Sequence, residues 1–81
     1  MTPITGTNYE GATCVLVDAK GVEVELNQVV SDKFQEDWTI TGGRPPHNAH
    51  SDGYVYADHV AELYPRTFHV GVLDMKWVVR R

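Results

Sequence analysis

The sequence predicts an all-β domain, a small SH3-like barrel or a strongly bent antiparallel sheet with at most a short helical turn. Three observations carry this expectation. Short runs of β-branched and aromatic residues recur at Thr13–Val17, Trp38–Thr41, Tyr54–Ala57 and Met75–Val79, and such residues fit a pleated, half-buried surface. Clusters of Gly, Pro, Asn and Asp separate the runs at turn-like intervals. No stretch carries the i, i+3, i+4 apolar spacing of a long amphipathic helix.

Size and charge narrow the reading. Eighty-one residues make one domain, which buries only about 60% of its unfolded surface and so has one small core. Apolar residues at 42% and charged residues at 22% argue against disorder. The net charge is −4, from seven Lys and Arg against eleven Asp and Glu. That is the wrong sign for a surface that neutralises phosphates, and the acids are scattered singly, unlike those of a DNA mimic. No apolar run approaches the ~18 residues that span a bilayer. The N-terminus lacks the basic-then-apolar order of a signal peptide, and the lone Cys14 excludes an internal disulfide. The expected location is the cytoplasm, without membrane association.

Each element follows from local chemistry. Residues 1–11 hold Pro3, Gly6, Asn8 and Gly11 and read as an N-terminal arm before the domain at 12–81. The arm either frays or adds an edge strand. Thr13–Val17 is the first strand, and Asp18-Ala19-Lys20-Gly21 is a turn in which Gly21 supplies positive φ. Val22-Glu23-Val24-Glu25-Leu26 alternates, so Val22, Val24 and Leu26 are expected to face the core and the glutamates to face solvent. The two runs are expected to pair as a hairpin. Asn27 to Asp37 reads as a loop with at most one helical turn, tucking Val30 and Phe34 under the sheet. Trp38 and Ile40 share a face of the third strand. Tyr54 and Tyr56 share a face of the fourth, and Asp58–Glu62 is a hairpin turn.

Pro65 cannot donate to a ladder and belongs at an edge or a strand end. Tyr64–Phe68 is placed as a single 3₁₀ turn. Gly71 and Asp74 permit a bend, Met75–Val79 is the last strand, and Arg80 and Arg81 are a solvated end. Trp38, Phe68 and Trp77 are the expected core aromatics. The alternative architecture is an open sheet whose exposed face is hidden in a homodimer, a natural partner for a core this small.

The chemistry concentrates between Thr41 and Gly53, which hold three of the seven glycines, two of the four prolines and two of the four histidines. Gly42 and Gly43 let a backbone approach another molecule, and Pro45-Pro46 stiffens the chain. Arg44 offers a planar fork for carboxylate or phosphate. The competing reading has the glycines forming a bulge and Arg44 pairing with Asp52. The candidate partner-binding residues are Arg44, Pro45, Pro46, His47, Tyr54, Tyr56 and Tyr64.

His47, His50 and Asp52 are ligand types that zinc accepts, with His59 and His69 able to complete a shell. Their spacing lies on a loop and no second cysteine exists, so no metal or cofactor is predicted and the histidines are expected to be solvated. Histidines there would make binding pH-dependent. No Ser-His-Asp order or nucleophile elbow is visible, Cys14 reads as a buried hydrophobe, and Gly42-Gly43-Arg44 falls short of a phosphate loop. The chain is not expected to be an enzyme.

Gly42-Gly43-Arg44-Pro45-Pro46-His47, Ser51, Gly53-Tyr54-Val55-Tyr56, Tyr64-Pro65-Arg66-Thr67-Phe68 and Lys76-Trp77-Val78 resemble a type of small accessory, non-structural protein encoded by tailed bacteriophages. The resemblance covers roughly the second half of the chain. It implies a phage product in the host cytoplasm that binds a host protein and modulates or inhibits it, in host takeover or anti-defence. No catalytic residue comes with it. Two other functions compete. One is a small-ligand or metal-binding module using the 42–53 loop. The other is a nucleic-acid-binding β-barrel acting through aromatic stacking, which needs Arg44, Arg66, Lys76, Arg80 and Arg81 on one face and runs against the acidic balance.

Overall fold

The alternation of β-branched runs and turn residues folds into strands, described over residues 2–80 in a computed structural model. Met1 and Arg81 lie outside the described residues, so the expected solvated end is seen only through Arg80. Among the described residues there are seven strands: β1 (Thr5–Thr7), β2 (Thr13–Val17), β3 (Val29–Ser31), β4 (Asp37–Arg44), β5 (Tyr54–His59), β6 (Pro65–His69) and β7 (Lys76–Val79). A 3₁₀ turn at Val70–Leu73 precedes β7. All pairings are antiparallel, in two sheets ordered β1-β2-β7 and β3-β4-β5-β6. The chain is all-β, as its sequence predicts. A four-stranded meander, a 3₁₀ turn and a last strand that returns to the first long strand give an SH3-like strand order. No helix among the described residues is long and apolar enough to cross a membrane.

Three turns among the described residues share one design. Asn8, Asp18 and Asp32 each turn Oδ1 onto the backbone N–H groups two and four residues ahead, at 2.8–3.0 Å. This is the local bonding that Asx side chains favour in turns. The third residue after each takes positive φ: Gly11 (79°), Gly21 (80°) and Gln35 (63°). A type I turn followed by such a residue makes a three-residue hairpin loop.

The Thr13–Leu26 hairpin forms only in part. Val22–Leu26 is not a strand; it touches β2 at an isolated Val17–Glu23 bridge. Val24 is buried, whereas Val22 is 59% exposed and Leu26 is also exposed. The cause is a three-way junction. Ile4 N–H donates to Val24 O (3.3 Å), Val24 N–H to Leu16 O (2.9 Å), and Leu16 N–H to Ile4 O (3.0 Å). The segment is drawn against residues 2–4, and only its middle side chain reaches the core. Of the two fates considered for the arm, the structure takes the edge strand: β1 pairs with β2, and Ile4 is buried.

Three further expectations are corrected. Asn27–Asp37 is not a loop under the sheet, because Val29–Ser31 pairs with Asp37–Thr39 and forms a hairpin. Phe34 stands at its tip in solvent, while Val30 packs against the core. The 3₁₀ turn is at Val70–Leu73 and not at Tyr64–Phe68, where Pro65–His69 pairs with β5. Pro65 sits on an edge strand, where its missing donor breaks no ladder. Finally, β4 runs on to Arg44 through an irregularity between Ile40 and Gly42, so the connecting loop is 45–53.

The core gathers Leu16, Val24, Trp38, Ile40, Val55, Phe68, Val70 and Met75 with their neighbours, and Trp77 packs half-buried against it. Trp38 meets Phe68 edge to face at 4.7 Å between centroids, a geometry the ring quadrupoles favour. Cys14 is buried mid-strand. His59, read from sequence as a solvated histidine, is also buried, at 6% exposure. Its Nδ1 accepts from Glu62 N–H at 3.1 Å, so its proton is on Nε2, 2.6 Å from Glu36 Oε2.

Two measurements test this arrangement. Val24→Ala is expected to cost about 2–3 kcal/mol from lost burial and a cavity, and Val22→Ala about 0.5 kcal/mol or less. Urea unfolding reads both; equal losses would restore a regular hairpin. The second concerns Asp32. Desolvation pushes its carboxyl up, but the Glu36 amide, the Trp38 indole, the Phe34 amide and the Arg66 charge outweigh it and hold the group below its usual range. That stabilisation is complete above the unfolded value of about 3.9 and is lost as pH falls through the lower folded value. The Tm gap between wild type and Asp32→Asn is therefore expected to close in acid. A gap independent of pH would contradict it.

Candidate functional site

Strand register builds the site. Arg44 on β4 lies opposite Tyr54 on β5, and Tyr54 lies opposite His69 on β6. Directly opposed residues project from the same face of a sheet, so the three form a row across three strands. Gly42, Tyr56 and Thr67 form the next row. His47 stacks on Tyr54 at 6.3 Å with 16° between rings, and His69 meets Tyr54 edge-on at 6.2 Å. Gly71 N–H donates to His69 Nδ1 at 3.2 Å, which leaves Nε2 as the protonated end, 3.7 Å from Asp52 Oδ2.

Trp77 holds this row from behind. Its Nε1–H donates to Tyr54 O at 3.3 Å. A Cβ at Gly43 would fall 2.7 Å from Trp77 Cζ2, and one at Gly53 would fall 2.5 Å from Cδ1 and 2.6 Å from Arg44 O. The close approach expected of the central glycines is therefore made by the protein's own tryptophan, not by another molecule. Gly42 serves Tyr56, whose ring lies 3.7 Å from where a Cβ would be. Pro45 is buried, with its ring packed on Gly6, and Tyr9 N–H donates to Pro46 O at 3.1 Å. The loop is anchored to the arm, and the Pro45 side chain faces inward.

Arg44, His47 and Tyr56 are exposed, while Pro46 and Tyr54 are half-buried. Arg44 does not pair with Asp52 and takes part in no ion pair among the described residues. Tyr64 is elsewhere. It stacks on His59 at 5.2 Å, at the far end of β5 and about 17 Å from Tyr54 at the rise of an extended strand.

His47, His50 and Asp52 do not converge. His47 lies on Tyr54, Asp52 faces His69, and His50 sits exposed in a turn that Asn48 caps. Among the described residues no group of three His, Cys, Asp or Glu is placed to hold a metal. The cations are dispersed as well. Arg66 lies 5.1 Å over Phe68, and Arg80 is 3.7 Å from Glu23.

His69 is the member of the row that sequence reasoning missed as a partner-binding residue. The signal for it is the pairing of β5 with β6, which is hidden when 64–68 is read as a 3₁₀ turn. A cleft of about 230 Å³ runs beside the row, lined by Pro46, Asp52, His69, Lys76 and Trp77 among others. The face thus offers a guanidinium fork, one imidazole and two phenols on paired strands, with the His47 imidazole on the loop after β4. That chemistry suits a carboxylate flanked by apolar or aromatic groups.

Gly53 is the backbone element that this face cannot lose. Its φ of +89° and the contact with Trp77 both oppose a side chain, whereas Gly21 at +80° has open space around it. Gly53→Ala is expected to cost about 2–4 kcal/mol, and Gly21→Ala about 1–2 kcal/mol from conformation alone. Denaturant titration measures the difference, and equal costs would remove Trp77 as the support. Compared with known families, curated proteins and solved structures, the chain matches none.

Proposed function

We propose that the chain is a small, non-catalytic interaction protein of the kind tailed bacteriophages encode, acting in the host cytoplasm. Its β4–β5–β6 face binds a host protein and modulates or inhibits it. The observation that supports this reading is the row Arg44–Tyr54–His69 with His47 stacked on it. It places an arginine outside any ion pair of the described residues next to the half-buried Tyr54 and the exposed rings of His47 and His69, in a chain whose net charge is negative.

Each group has a role in that binding. Arg44 makes paired hydrogen bonds to a partner carboxylate, stronger than neutral ones and geometrically selective. Tyr54 and Tyr56 add amphipathic area at low entropic cost, because each has two side-chain torsions. Rigid strands behind them, and a loop tied down through Pro45 and Pro46, reduce the ordering cost of association. Arginine and tyrosine are the residue types that dominate interface energetics.

Affinity capture from a bacterial host lysate, with quantitative mass spectrometry, tests the proposal. Wild type is expected to enrich a partner that Arg44→Ala/Tyr54→Ala recovers at least tenfold less well. Recovery of the same partner with equal affinity by both forms would overturn this face as the binding surface.

A further inference from the structure

A second surface lies at the opposite end of the four-stranded sheet. Phe34 at the tip of the β3–β4 turn is 76% exposed, and Leu63 in the β5–β6 turn is 77% exposed. They are the two most exposed large apolar side chains among the described residues, and Val60 and Tyr64 beside Leu63 are exposed as well. The two turns are joined. Val60 N–H donates to Asp37 O at 3.0 Å, His59 meets Glu36, and Tyr64 lies edge-on to Trp38 at 5.6 Å. Isolated surface hydrophobes need no explanation, but here the most exposed ones stand on two turns that are tied to each other.

The backbone supplies an independent sign. Four non-glycine residues among those described have positive φ: Asn27, Gln35, Leu63 and Asp74. Asn and Asp tolerate that region; a leucine there is an outlier. Leu63 holds φ 56°, and Gln35 occupies the position that Gly11 and Gly21 take in the sister turns. Glycine at either place would ease the fold. The chain instead keeps a strained leucine whose side chain packs on little, and strain of this kind gathers at functional sites.

Charge identifies the occupant. The tips, residues 32–37 and 60–63, carry Asp32, Glu36, Asp37 and Glu62 against Lys33, and Arg66 outside them adds its charge beside Asp32, so acid still outnumbers base. The Lys33 ammonium lies 5.8 Å over the Phe34 ring. Two copies meeting tip to tip would bring like charges together, and an anionic membrane would be repelled. Charge complementarity points to apolar side chains flanked by lysine or arginine.

We propose that the joined hairpin tips, with Phe34 and Leu63 as anchors, dock a basic amphipathic segment of another protein. This goes beyond the Arg44 face. It uses the other end of β5 and the opposite charge preference, so one chain can hold two partners at once.

The test is NMR titration of the labelled 81-residue chain with two synthetic amphipathic peptides of identical apolar pattern, one Leu–Lys and one Leu–Glu. The Leu–Lys peptide is expected to shift amides in 32–37 and 60–64, and the Leu–Glu peptide is not. Phe34→Ser and Leu63→Gly are each expected to weaken binding at least tenfold. Leu63→Gly should do so with a Tm at or above wild type, because glycine adopts this φ without strain. Arg44→Ala should leave peptide affinity unchanged, which separates this surface from the first. Equal binding of both peptides, shifts elsewhere, or affinity that survives both tip substitutions would overturn the proposal. So would self-association in light scattering, or binding to anionic vesicles, that Phe34→Ser abolishes.

Discussion

Three backbone hydrogen bonds that close on themselves hold this small two-sheet domain together. Ile4, Leu16 and Val24 each donate to another of the three and accept from the third. All three side chains are buried, so no water is at hand to replace a missing partner. A buried backbone group left unpaired costs roughly 1–3 kcal/mol, and the cycle leaves none of these donors idle. It also ties the arm, the first long strand and the 22–26 crossing to one point. An 81-residue chain has little core beyond this, which makes the junction a condition of the fold.

Trp77 carries that framework to the outer face. It belongs to β7, which pairs with β2, yet its ring lies on Gly43 and Gly53 and its indole N–H reaches Tyr54 O. One side chain therefore links the three-stranded sheet to the ends of β4 and β5. The Arg44–Tyr54–His69 row stands on the far side of that contact. Packed interiors are close-packed solids and not fluids, so the backbone that carries the row rests directly on the core.

The two ends of the four-stranded sheet obey different rules. Near Arg44, glycines sit where the backbone must be bare, and the turn chemistry agrees with the conformation. At the hairpin tips, Gln35 and Leu63 hold positive φ without that agreement, and Phe34 and Leu63 face solvent. Local sequence and global fold are usually consistent, and their disagreement marks places where something other than folding is selected.

Much of this was legible in one dimension. Turn residues and β-branched runs located β2, β4, β5 and β7. The period of two put Trp38 with Ile40, and Tyr54 with Tyr56, on shared faces, because neighbouring side chains on a strand must point in opposite directions. What the amino-acid order did not contain is pairing between distant segments. Val22–Leu26 alternates as a strand should, yet the arm captures it and only Val24 is buried. Val29–Ser31 is too short to read as a strand until β4 supplies its hydrogen bonds. His69 joins Arg44 only through the register of two separate ladders. By itself the sequence determined local direction, since that depends on each residue and its neighbours. The tertiary structure alone decided burial and the make-up of the site, since those depend on which donors and acceptors far apart in the chain find each other.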